Sequence, residues 1–205
     1  MKNTSPRIVI LAALSAFVWF ARLADAGEQP PSQRVAALLA QMTLEEKAGQ
    51  LNLLSGHHAV TGPYATPDVE AAIKAGTIGG LFNVYGAAYT HHLQEMALSS
   101  SRLKIPLLLG FDALHGYRTI FPTPLAQAAS FNLSLIEQAE RASAREAAAA
   151  GVNWVYAPML DVARDPRWGR MVEGSGESPW LGARIAEART KGLQGNTLAS
   201  PDTVL

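Results

Sequence analysis

Cysteine is absent from all 205 residues. That excludes disulfides, thiolate nucleophiles and Cys-based metal sites. An exported chain of this size can still bury a sizeable core without disulfides. Long apolar runs are also missing. The longest, Ile8–Phe20, has 13 residues with only Ser15 interrupting it, well short of the ~20 that span a bilayer. Basic clusters are lacking too. Residues 27–205 carry 14 basic and 16 acidic side chains, a balance that argues against nucleic acid or an anionic membrane as partner. No Gly-x-Gly-x-x-Gly follows the first strand-like run, so a dinucleotide fold has no support. The histidines form adjacent pairs, His57-His58 and His91-His92. Neighbours in sequence share no face of a helix or strand, so zinc-ligand spacing is not met. In "EGSGES" Glu173 stands where a nucleophile elbow needs its first glycine, which disfavours a Ser-His-Asp hydrolase.

What is present begins with a leader. Lys2 and Arg7 precede the apolar run, and Ala24-Asp25-Ala26 offers a small-x-small cleavage site. This is the layout of a secretory signal peptide over residues 1–26, cut after Ala26. The rest, residues 27–205, is expected to reach the periplasm or the exterior, with no membrane association after cleavage.

Beyond the leader, apolar runs alternate with amphipathic ones. "SQRVAALLAQM" has helical spacing, and Thr43 with Glu46 forms a capping box that starts a second helix. Short strands are expected at 51–55, 78–86, 105–112 and 152–158. Helices are expected at 67–76, closed by Gly76, and at 88–102 and 133–151. A last helix spans 178–195 with Ser178 as N-cap, and residues 202–205 open one more strand. This alternation predicts an α/β fold with a parallel sheet. The run "IPLLLGFD" is apolar throughout, as in a strand buried on both faces. A (β/α) barrel fits best, with its polar residues gathered at the C-terminal ends of the strands.

Two such ends carry the chemistry-bearing residues. "FDALHGYR" presents Asp112 and His115. "VYAPMLDVARDPRWGRMVEGSGE" presents Asp161, Arg164, Asp165, Arg167, Trp168, Arg170 and Glu173. In a parallel sheet both open on the same side. Carboxylates that accept, a guanidinium that donates in a fork and an aromatic ring suit a ring of hydroxyls. The second segment is equally readable as an ion-pair loop, with Asp165-Pro166 starting a turn and the arginines paired to Asp161 or Glu173. Both readings can hold together. His115 reads most simply as a loop histidine bonded to backbone.

"GFDALHGYRTIFPTPLAQAASFN", followed by "APMLDVARDPRWGRMVEGSGESPWL" and preceded by "MTLEEKAGQL", closely resembles glycoside hydrolase family 3 on its bacterial periplasmic β-glucosidase branch. The resemblance implies a (β/α)8 TIM-type barrel as first domain, of which residues 27–205 are the N-terminal portion, an incomplete barrel. It implies exo-acting, retaining hydrolysis of terminal β-D-glucosyl residues, without metal or cofactor, on a β-glucoside or oligosaccharide substrate. Asp112 matches the carboxylate that grips glucose hydroxyls, Arg170 the arginine that donates to the same sugar, and Glu173 stands where it can orient that arginine. Ser178 and Trp180 depart from the family's more frequent Asp and Tyr. The family continues into a Lys-His-Phe segment, then a nucleophilic Asp, then an acid/base carboxylate in a second domain. All three are expected beyond Leu205, so the chain alone is expected to be inactive. The alternatives are a non-catalytic sugar-binding remnant and a β-xylosidase of the same family.

Overall fold

The computed structural model describes residues 31–56 and 68–205, and it divides at Met42/Thr43 into two units. The leader over 1–26 and the His57-His58 pair lie outside the described residues. In the first unit, helix α1 (Pro31–Gln41) has the Gln41 side-chain amide donating to the Ala37 carbonyl at 3.0 Å. The second unit runs α2 (Leu44–Gln50), β1 (Leu53–Ser55), α3 (Val69–Ala75), β2 (Gly80–Phe82), α4 (Ala87–Ser100), β3 (Leu108–Phe111), α5 (Pro124–Ala129), α6 (Leu133–Ala149), β4 (Trp154–Val155) and α7 (Pro179–Gln194).

The helix ends follow from their residues. Thr43 Oγ1 accepts from the Glu46 amide at 3.2 Å while Glu46 Oε2 accepts from the Thr43 amide at 2.9 Å, the reciprocal capping box. Gly76 closes α3 at φ 69°, a left-handed conformation open to glycine. Asn132 and Ser178 cap α6 and α7 by accepting from the Leu135 and Leu181 amides. Helix α5 is an element the periodicity does not signal. It is six residues long, started by Pro124 behind Thr123, and too short to show a repeat.

The four strands are parallel in the order β1-β2-β3-β4. Residues 202–205 form no assigned strand. Leu205 nevertheless donates to the Asn153 carbonyl at 3.1 Å and accepts from the Val155 amide at 2.8 Å, the pattern of a parallel neighbour on the far side of β4. The register places Leu54, Leu81 and Leu109 on one face. There α3 and α4 cover them with Val69, Ile73, Leu93 and Met96, leaving Leu81 and Leu109 fully buried. Burial of each such leucine contributes roughly 1.5–3 kcal/mol. The other face carries Leu53, Gly80 and Leu108, then Ser55, Phe82, Gly110 and Trp154. Here the expectation of a strand buried on both faces is corrected, since Leu108 is 44% exposed and Leu53 42%. The described sheet does not close on itself, so its inner face lacks the cover a complete barrel would give.

Further along, α6 and α7 pack against β4 through Ala144, Ala147, Val155 and Leu193. The two helices approach so closely that a Cβ on Gly192 would lie 2.6 Å from Glu140 Cβ. The loops after β3 and β4 leave the same edge of the sheet, because both strands run in the same direction.

Candidate active site

The loop after β3 begins with Asp112, which is exposed, and folds back on itself. The Phe121 amide donates to the His115 carbonyl at 2.8 Å, and His115 Nδ1 lies 2.9 Å from the Phe121 carbonyl oxygen. His115 is thus the backbone-bonded loop histidine the sequence suggests. At the crown of the loop, Glu146 of α6 accepts from the Arg118 amide (2.8 Å), the Thr119 amide (2.8 Å) and the Thr119 hydroxyl (2.6 Å). Those hydrogen bonds hold the Glu146 carboxyl below the usual carboxylate range.

The loop after β4 is clipped at its neck by the Ala163 amide donating to the Gly176 carbonyl at 3.1 Å. Inside it, Asp165 Oδ1 caps a 3₁₀ turn over Pro166–Trp168 by accepting from the Arg167 amide at 3.0 Å. The same carboxylate takes the Arg167 guanidinium, with Nε at 3.0 Å. A second 3₁₀ turn, Met171–Glu173, brings Glu173 back onto Arg170. Arg170 Nε donates to Glu173 Oε2 at 2.9 Å, and Nη2 donates to the same oxygen. Trp168 remains 42% exposed, and Arg164 is exposed as well. The loop's charges therefore divide. Asp165 and Arg167 form a self-contained turn, while Arg170 is held by Glu173 and still has the donors on its Nη1 side.

Arg170 is held chiefly by its own loop. The Glu173 hydrogen bonds raise its already high pKa first, and the Asp161 and Asp112 carboxylates add to that. Asp112 also acts on Tyr156, whose phenol burial pushes upward and the carboxylate pushes further. The Tyr156 hydroxyl is buried and finds no hydrogen-bond partner among the described residues. It sits over Gly110, where a Cβ would come within 2.1 Å of it. Phe82 and Trp154 meet its ring edge-on at 5.3 and 4.8 Å. Tyr156 is a residue that sequence reasoning missed. Gly110 inside a strand was the available signal, because it marks a close approach. Among the described residues, no group of three or more His, Asp or Glu is arranged to hold a metal ion.

Residues 43–202 match the family model described as the glycosyl hydrolase family 3 N-terminal domain. The chain belongs to glycosyl hydrolase family 3. Over 172 residues this family 3 chain is 42% identical to a periplasmic β-glucosidase of Salmonella typhimurium, covering 83% of the chain and 22% of that protein. It is 33% identical over 180 residues to a putative β-xylosidase of Formosa agariphila, covering 80% of the chain and 24% of that protein. Its fold superposes on a β-glucosidase of Listeria innocua, crystallised with isofagomine, at a TM-score of 0.75 and 35% identity. That match covers 85% of the chain and 25% of the other. The family 3 chain thus spans about a quarter of the length of these relatives. Its parallel sheet with flanking helices resembles the barrel domain of family 3 enzymes, here with the barrel not closed. No helix among the described residues is long and apolar enough to cross a membrane.

Proposed function

We propose that this chain supplies the sugar-gripping part of an exo-acting, retaining β-glucosidase. Asp112 accepts from neighbouring hydroxyls of the terminal β-glucosyl unit, Arg170 donates to the same unit, and Glu173 fixes the arginine's fork. The observation that carries the reading is that the Asp112 loop and the Arg170 loop leave parallel neighbours β3 and β4 at the same edge of the sheet, and that Glu173 holds the Arg170 guanidinium there.

Retaining hydrolysis needs two carboxyl groups ~5–5.5 Å apart, one as nucleophile and one as acid/base. In this reading neither is among Asp112, Asp161 and Glu173. Both belong to parts of the family's fold outside residues 27–205. Residues 1–205 alone therefore bind without cleaving. Export to the periplasm or beyond belongs to the same proposal, supported by the leader-like residues 1–26 and by the periplasmic relative.

The test is calorimetric or NMR titration of the chain with glucose and xylose, alongside a chromogenic β-glucoside assay. Weak glucose binding that Asp112→Ala abolishes, without turnover, is the expected result. Turnover by the chain alone would overturn the division of labour. Preference for xylose would move the assignment to the β-xylosidase branch, to which several relatives belong by name. Absence of any sugar binding would remove the gripping role.

A further inference from the structure

Helices α5, α6 and α7 enclose a polar cluster that the sugar site does not use. Arg189 of α7 and Glu140 of α6 are each 1% exposed, and Gln127 of α5 is 8% exposed. Arg189 Nη1 lies 3.0 Å from Glu140 Oε1, and its Nη2 donates to Gln127 Oε1 at 3.1 Å. The same guanidinium donates from Nη1 to the Leu114 carbonyl at 3.4 Å. Gln127 in turn donates from Nε2 to the Pro122 carbonyl at 2.7 Å. One buried cation therefore reaches both flanks of the loop after β3, Leu114 on the way out and Pro122 on the return. Asp112 precedes Leu114 by two residues. Arg189 itself lies on the helix that begins directly after the Arg170–Glu173 loop.

Stability does not account for this cluster. A buried ion pair loses more solvation than it regains unless every donor and acceptor is satisfied, and apolar side chains of similar size often do as well or better. Here both Glu140 oxygens and Arg189 Nε have no hydrogen-bond partner, since the 3.0 Å ion-pair contact lacks hydrogen-bond geometry. What apolar residues could not do is donate to Leu114 and Gln127. We propose that Arg189 is a positioning residue, which Glu140 keeps anchored in the helix layer. Through it, the helix carrying one sugar-gripping loop fixes the placement of the other. This rests on the reading that the Asp112 loop grips a sugar.

The test uses the whole chain with Glu140→Leu and Arg189→Met combined, so that no buried charge is left alone. The melting temperature should match or exceed that of the parent. The Phe121, Arg118 and Thr119 amides should exchange with deuterium about tenfold faster, and glucose affinity should fall about tenfold, as expected for losing one or two hydrogen bonds. Unchanged exchange at these amides in the folded double variant overturns the proposal. If the double variant does not fold, Arg189→Lys decides. It keeps a charge beside Glu140 but cannot reach Leu114 and Gln127 together, so faster loop exchange supports the proposal and parental exchange overturns it. Faster loop exchange in a chain whose parent binds no glucose keeps the positioning role and removes the sugar reading.

Discussion

Two sets of carboxylate–guanidinium pairs among the described residues stand at opposite extremes of burial. On the loop after β4, Arg167–Asp165 and Arg170–Glu173 lie in water, with arginine side chains 89% and 58% exposed. Between the helices, Arg189–Glu140 is almost fully enclosed. In water a pair contributes little to stability, because solvent and salt screen it. Such a pair can still shape a loop and hold out donors to a ligand. In the interior the same two groups dominate the local energetics, and removing one leaves the other stranded. The difference teaches that charge near a site divides into groups that meet the ligand and groups that hold the scaffold. Burial, rather than residue type, decides which is which.

The sharpest way to break this comparison is Arg189→Ala. It leaves Glu140 enclosed without its cation, and a loss of about 3–5 kcal/mol in urea unfolding is expected at about pH 9, above the raised Glu140 pKa, where the carboxylate would be ionised. The loss should shrink at pH 5, where Glu140 takes up a proton and no longer needs a partner. A loss below that of an ordinary surface substitution would mean that the pair is not buried in solution.

The second way is titration. Burial pushes the Glu140 carboxyl from 4.5 to about 7, and the attraction of Arg189 only partly opposes it. Between these values the unfolded chain releases this proton while the folded chain keeps it. The folded state then binds more protons, so stability falls as pH rises through the window and levels off above it. The size is about 3 kcal/mol by linkage. Glu140→Gln should flatten that slope while leaving the acid limb below pH 4.5, where carboxylates such as Glu146 lose their hydrogen bonds. An unchanged slope would assign the window to other groups.

The parent sequence reveals one of these two settings and conceals the other. Thr43, Gly76, Asp165 and Ser178 act where they stand, through caps and turns closed within a few residues. Local patterns of that kind are legible. The parallel sheet was legible as well, from the alternation of apolar runs with amphipathic ones. Glu140 and Arg189 were not. Each sits in a helix rich in other charges, "SLIEQAERAS" and "RIAEARTKG", where solvated Glu187 and Lys191 look the same on paper. Only the closeness of α6 and α7 at Gly192 decides which charges turn inward. Leu108 fails in the opposite sense. Its apolar surroundings suggested full burial, yet it lies on the face of the open four-stranded sheet that the described helices leave uncovered. That the Asp112 and Arg170 loops leave one end of the sheet was legible through the parallel topology, whereas the buried Tyr156 hydroxyl was not.

At the loop itself, the comparison is sharpened by substitutions that should act on the ligand rather than on folding. Asp112→Asn and Arg170→Lys are each expected to lower glucose affinity about 10- to 100-fold, because a charged acceptor or a bidentate donor is exchanged for a weaker one. Melting temperatures should stay at the parental value. A matching drop in melting temperature would place these residues with the scaffold instead.

The smallest effect separates the two jobs of Asp165. Its carboxylate both pairs with the Arg167 guanidinium and accepts from the Arg167 amide at the start of the 3₁₀ turn. Arg167→Ala removes only the solvent-exposed pair, so melting temperature and glucose affinity should both stay within error of the parent. Asp165→Ala removes the cap as well. The turn that leads into Arg170 then loses its first bond, and a loss of glucose affinity of about two- to fivefold is expected without a change in melting temperature. Equal losses from the two variants would mean that the exposed ion pair, and not the backbone cap, gives the arginine its aim.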